Sequence, residues 1–133
     1  MAFSDPGKGR IIEQGEGLVR ITLAEAVVAG DVLGYSSGWK RALATVGTAI
    51  QGRLVAGEDG ASGEVITAYR RAVVSGYSGG TPGNPVYVAE GTDNGKITET
   101  APSTSNDVNT IIGYVTSTTV AALEPGSRAD STA

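Results

Sequence analysis

Serines flanked by glycines are the residues of this chain with the most evident chemical potential. The pattern Gly-x-Ser-x-Gly occurs twice, as Gly34-Tyr35-Ser36-Ser37-Gly38 and Gly76-Tyr77-Ser78-Gly79-Gly80. In a hydrolase this pattern bends a strand sharply into a helix and projects the serine towards a histidine base. The chain has no histidine, and neither serine is followed by a helical pattern. A serine without a base is not a nucleophile, so both segments read as turns in a Gly- and Ser-rich chain. The absence of His and Cys also removes the ligands of a zinc or other imidazole or thiolate centre. Carboxylates gather at Glu13/Glu16 and Glu58/Asp59, each in a Gly-rich segment that reads as a solvated turn, and the ligand spacing of an EF-hand is missing. Gly7-Lys8-Gly9 lacks the remainder of a phosphate loop. No catalytic residue, cofactor or metal site is expected, and the chain does not read as an enzyme.

The aromatic residues offer a different chemistry. Tyr35, Trp39, Tyr69, Tyr77, Tyr87 and Tyr114 are scattered over five or six segments. Brought together on one face they would stack on sugars or bases. Kept apart they pack cores, strand pairs or subunit contacts. A carbohydrate- or surface-binding β module built on Trp39 and nearby tyrosines is one functional reading. Nucleic acid is not an expected partner: the formal net charge is −4, and Lys40-Arg41 and Arg70-Arg71 are the only adjacent basic pairs. The longest apolar runs span only a few residues, so no membrane-spanning helix is expected. Met1 to Arg10 has no apolar core of a secretory signal. Without cysteine there is no disulfide framework, which fits folding in a reducing cytoplasm.

The elements that must position these residues are strands. At 133 residues with 20 glycines, one Phe, one Trp and one Met, the chain suits one domain with a light core of Val, Ile, Leu and Ala. Such a core makes a modest monomer that gains stability by associating. The organising stretch is Ser75 to Thr100. Val86-Tyr87-Val88 and Lys96 to Thr100 form the arms of a hairpin around Asp93-Asn94-Gly95, with Asn-Gly favouring positive φ at the turn. Pro82 and Pro85 keep helix and central strand away from the approach.

Taken in order, Met1 to Glu16 reads as an extended N-terminal arm whose apolar handles are Phe3, Ile11 and Ile12. These three are the expected partner contacts. A β-rich domain follows from Gly17 to Pro125. Leu18 to Leu23 alternates as a half-buried strand, and Ala24 to Ala29 has room for one helical turn. Asp31 to Tyr35 and Trp39 to Ala44 form a second hairpin. Ile50 to Ala56 is the next strand, and Glu64 to Val74 a long one with a bulge near Tyr69 to Arg71. Ala101 to Asn109 is a polar loop, Ile111 to Val115 and Thr118 to Leu123 are the last strands, and Gly126 to Ala133 reads as a flexible tail. Eight or nine short strands with hardly any helical period predict an all-β fold, a small antiparallel β-barrel or sandwich.

From Gly17 to Leu123 the order of elements resembles the small β-rich bacteriophage capsid cement, or head decoration, proteins. The resemblance is carried by Gly-Leu-Val-Arg-Ile-Thr-Leu-Ala (Gly17 to Ala24), Ala-Gly-Asp-Val (Ala29 to Val32), Pro-Gly-Asn-Pro-Val-Tyr-Val (Pro82 to Val88), Asn-Gly-Lys-Ile-Thr (Asn94 to Thr98) and Ile-Gly-Tyr-Val (Ile112 to Val115). It implies a structural protein made in the bacterial host cytoplasm and carried on the outer surface of the virion. It further implies a homotrimer at local three-fold positions that bridges neighbouring major capsid proteins. No catalytic residue comes with that resemblance.

Overall fold

The computed structural model describes residues 2–133, and over them the protein is all-β. Nine strands are present among the described residues: β1 (Ile11–Thr22), β2 (Val32–Tyr35), β3 (Trp39–Arg41), β4 (Leu54–Ala56), β5 (Val65–Ser75), β6 (Pro85–Val88), β7 (Ile97–Thr98), β8 (Gly113–Ser117) and β9 (Val120–Leu123). They form one sheet in the order β3-β2-β4-β5-β9-β8-β6-β7, with β1 added on β5. Every strand pair is antiparallel. β5 is the strand on which the rest is built. β1 pairs along it from Val65 to Ser75, while its other edge takes β4 at Ala68 and Tyr69 and β9 from Ala72 to Ser75.

The sheet curls into a half-barrel because its ends are fastened by single backbone contacts. Just beyond β1, Leu23 forms a parallel bridge with Trp39, and Ala24 N–H donates to the Trp39 carbonyl at 3.0 Å. At the opposite end Val32 N–H donates to Gly95 O at 2.9 Å, Gly95 N–H to Ala42 O at 2.8 Å and Ala44 N–H to Ala89 O at 2.8 Å. Two cores result. The smaller holds Ile21, Leu23, Val27, Leu33, Leu54, Ala56, Ile66 and Ala68. The larger holds Val32, Val55, Val74, Val86, Val88, Ile112, Val115 and Leu123 among others. β2 and β4 are the wall between them: Val32 and Val55 face one core, and Leu33, Leu54 and Ala56 the other. The two-residue period of a strand allows this division when both faces are buried. Each such Val, Leu or Ile contributes about 1.5–3 kcal/mol by leaving water. Glycine is needed where the ring of Tyr69 passes: a Cβ at Gly15 or Gly57 would lie 2.6 or 2.7 Å from its carbons.

Several local expectations change. β1 starts at Ile11, so the second half of the expected arm is strand, paired with Arg71 to Ser75. Composition hid this because Gly15 and Gly17 interrupt the apolar alternation. The bulge expected in β5 lies on its partner, where the register shifts between Ile12 and Gln14. Ala24 to Ala29 makes no helical turn. Val27 is buried and exchanges hydrogen bonds with Gly60 at 2.9 and 3.1 Å, so its backbone has a partner across the chain that outcompetes a local one. The organising hairpin forms between the arms expected from sequence, and its register sets Tyr87 against Thr98 and Val88 against Ile97. Its connection is longer than two residues, and positive φ falls on Gly91 (76°) and Gly95 (81°), not on Asn94.

The C-terminal residues, expected to be a flexible tail, run back along the body. Arg53 grips Asp130 through both terminal nitrogens at 2.7 Å, Ala133 N–H donates to Asp107 O at 2.8 Å and Ser131 N–H to Thr110 Oγ1 at 2.8 Å. These partners are distant in sequence, and composition is blind to them.

Candidate functional site

The N-terminal segment ahead of β1 folds onto its own domain. Ser4 and Ser78 exchange backbone hydrogen bonds at 2.8 and 3.1 Å, and the Phe3 ring lies 5.4 Å from that of Tyr77. Behind them sits a buried staple. Arg10 Nη1 donates to Asp5 Oδ2 at 3.1 Å, and Nη2 donates to Asp31 Oδ1. Asp5 Oδ1 also accepts from Gly7 N–H at 2.9 Å, and Oδ2 from Ile97 N–H at 3.0 Å. Asp31 Oδ2 accepts from Val28 N–H at 2.9 Å. Since β7 is the last strand of the sheet, Asp5 caps an edge amide that would otherwise be buried unpaired.

One cation here serves two carboxylates. Burial works against the Arg10 charge, but the carboxylates of Asp5 and Asp31 outweigh it and raise the Arg10 pKa. Burial pushes the Asp31 carboxyl above the ordinary carboxylate range, opposed by the Arg10 charge. The Tyr77 phenol is driven well above its ordinary value by burial and then by the Asp5 charge, and its hydroxyl has no hydrogen-bond partner among the described residues. Removing one member of such a group leaves an uncompensated charge, so the staple holds Phe3 to Arg10 firmly. Sequence reasoning missed Asp5, Arg10 and Asp31. Only the turn Gly30-Asp31 carried a signal, and it pointed to a strand start.

The three expected contact residues separate. Phe3 and Ile12 pack partly buried against the larger core, while Ile11 stays 58% exposed. Ile11 stands on the outward face of the five strands β1, β5, β9, β8 and β6. Two rows of opposed residues cross that face: Ile11, Ser75, Val120 and Ser117, then Gln14, Val73, Ala122, Tyr114 and Pro85. Their inward neighbours Val74, Ala121, Val115 and Val86 fill the core. The rows are uncharged and their middle is small, with Tyr114 (54% exposed) standing up at the far end beside a shallow hollow of about 420 Å³ lined partly by Gly83 and Arg128. Charged side chains border the rows: Glu16, Arg71 and Glu124 line a hollow with Gln14, Val73 and Ala122. The Glu16–Arg71 pair spans 3.6 Å, and Glu13 Oε2 accepts from Ser75 Oγ at 2.6 Å.

The other sequence candidates do not assemble into a reaction centre. Ser36 and Ser37 form the turn between β2 and β3, with Ser36 N–H donating to Gly38 O at 2.9 Å. Ser78 is engaged through its backbone with Ser4. Among the described residues no three His, Cys, Asp or Glu side chains gather closely enough to hold a metal ion. Tyr35 and Trp39 meet edge to face at 5.5 Å at the tip of the β2–β3 hairpin, with Tyr35 66% exposed. The ring of Tyr77 is buried and that of Tyr69 packs on the larger core, and Tyr114 lies across the sheet on β8. The aromatics therefore do not converge.

No family model, no curated protein and no solved structure matches this chain. Among the described residues no helix is long and apolar enough to cross a membrane.

Proposed function

We propose that the protein is a structural cement, or decoration, protein of a bacteriophage head, held on the outer capsid surface through the outward face of β1, β5, β9, β8 and β6. In this reading it acts as a homotrimer and bridges neighbouring major capsid proteins. The observation that carries the reading is that face: five paired strands present two rows of uncharged residues, bordered by charged ones, with Ile11 and Tyr114 exposed towards opposite ends. Arg10, the residue before Ile11, is locked in the staple, so Ile11 is presented from a fixed backbone and not from a loose arm. A preformed surface binds without the entropy cost of ordering. Several such contacts made at once raise avidity by about 10²–10⁴.

Purified protein is expected to co-sediment with mature capsids of the phage that encodes it, and failure to do so ends this reading. The exposed Tyr35 ring, edge to face with a Trp39 that is partly buried on the smaller core, favours a second one, a carbohydrate- or surface-binding module. It is tested by Trp39 fluorescence in a glycan titration: a saturable change supports it, and a flat signal removes it.

A further inference from the structure

The dipeptide Asn94-Gly95 occupies the point where the curled sheet is fastened to itself, and the fastening atoms are those a self-modification would use. Gly95 N–H donates to Ala42 O at 2.8 Å and Gly95 O accepts from Val32 N–H at 2.9 Å, and both partner residues are fully buried. Lys96 N–H closes the turn on Asp93 O at 3.0 Å. Glycine cannot be exchanged here: its φ is +81°, and a Cβ would lie 2.7 Å from the Asp31 carboxyl carbon. The fold thus requires a Gly at 95, and Asn94 stands before it with a side-chain amide one bond-forming step from the Gly95 nitrogen.

We propose that Asn94-Gly95 is a non-enzymatic deamidation site which the native fold holds closed. In the reaction the Gly95 backbone nitrogen gives up its proton and attacks the side-chain amide carbon of Asn94, forming a five-membered succinimide. The bond to the side-chain nitrogen breaks, and that nitrogen departs with the proton as ammonia. Water then adds to one of the two ring carbonyls and opens the ring to aspartate or isoaspartate. No oxidant or reductant takes part. In the folded protein the attacking nitrogen must first leave Ala42 O, which strands that buried carbonyl, while Val32 N–H holds Gly95 in place through its oxygen. Conversion to isoaspartate inserts an extra carbon into the chain at the fastening point. It also places a carboxylate in the hollow that Asn94 shares with Asp31, Arg41, Lys8 and Lys96. The modification therefore loosens the closure of the half-barrel once it has occurred.

The test is peptide mapping by mass spectrometry after incubation at mildly alkaline pH, native protein beside protein unfolded in urea. Conversion at Asn94 is expected to be slower in the native protein by about tenfold or more, the factor given by about 1.4 kcal/mol of barrier. Equal rates in the two states would overturn the proposal. Hydrogen exchange at the Gly95 amide is the second readout: strong protection supports the holding role of Ala42 O, and exchange as fast as in the unfolded chain refutes it. Asn94→Gln should abolish conversion in this peptide, and conversion that persists there would overturn the site assignment.

Discussion

Two arginines secure the two ends of this chain, and they do so under opposite physical conditions. Arg10 ties the N-terminal segment to the body through Asp5 and Asp31, with all three side chains nearly or wholly excluded from solvent. Arg53 ties the C-terminal segment through Asp130 with two hydrogen bonds of 2.7 Å, but both side chains remain more than two-fifths exposed. The exposed pair has the better geometry and the smaller consequence. Water competes for both of its charges, and such pairs are worth about 0.2–1 kcal/mol. The buried group gains little over an apolar core of the same volume, yet breaking it is severe because the remaining charges cannot return to water. Geometry alone does not rank the two ties; burial does.

The largest effect expected from breaking this comparison is at Arg10. Arg10→Met leaves Asp5 and Asp31 buried without a cation and should cost about 3–5 kcal/mol in urea denaturation. A loss under about 1 kcal/mol would place the carboxylates in water and not in the core. Next in size is Tyr77→Phe, which removes a buried hydroxyl without a partner among the described residues. It should leave stability unchanged or raise it by about 1 kcal/mol, and a clear loss would mean that the hydroxyl is bonded. Arg53→Ala should lower stability by about 0.2–1 kcal/mol, an effect that shrinks further in high salt.

The smallest effects are in pH dependence, and the two ends differ in sign. The Arg53 hydrogen bonds hold the Asp130 carboxyl below its ordinary 3.8. Its contribution is therefore present above pH 3.8 and lost as pH falls through the lowered value. Asp31 is raised above 3.8 by burial, so its contribution is complete below pH 3.8 and lost as pH rises through the raised value. Stability measured from acid to neutral pH should lose the first component in Asp130→Asn and the second in Asp31→Asn. If both variants flatten the same limb, the assignment of opposite signs is refuted.

The contrast also explains what was legible in the sequence. Local signals were reliable: Val86 to Val88 with Ile97-Thr98, the Ser36 to Gly38 turn, and the alternation of Val19 and Ile21 all appear where turn chemistry and a two-residue period place them. Pro85, by contrast, expected to keep central strand away, opens β6 between β8 and β7. Contacts between distant residues were not. Nothing adjacent to Asp5 or Arg10 announces Asp31 or the Ile97 amide, and nothing near Asp130 announces Arg53. The start of β1 is hidden in the sequence because glycines at 15 and 17 resemble a loop, whereas a Cβ at Gly15 would collide with the Tyr69 ring. Of the candidate face, the sequence marks Ile11 as a contact and Tyr114 only as one of six scattered aromatics. Val73, Ala122 and Tyr114 become neighbours through strand order, which is a global property of the fold.

That face is where the functional account stands or falls, and a pair of substitutions, one on β8 within it and one at the β2–β3 hairpin tip, tests it most directly. Tyr114→Asp changes the end of the uncharged rows, and Tyr35→Asp changes the exposed hairpin tip. In capsid co-sedimentation the first is expected to weaken binding roughly ten- to hundredfold, as losing about 1.5–3 kcal/mol of apolar burial implies, while the second binds as the natural sequence does. Binding that survives Tyr114→Asp and is lost with Tyr35→Asp would contradict the assignment and move the contact to the aromatic hairpin.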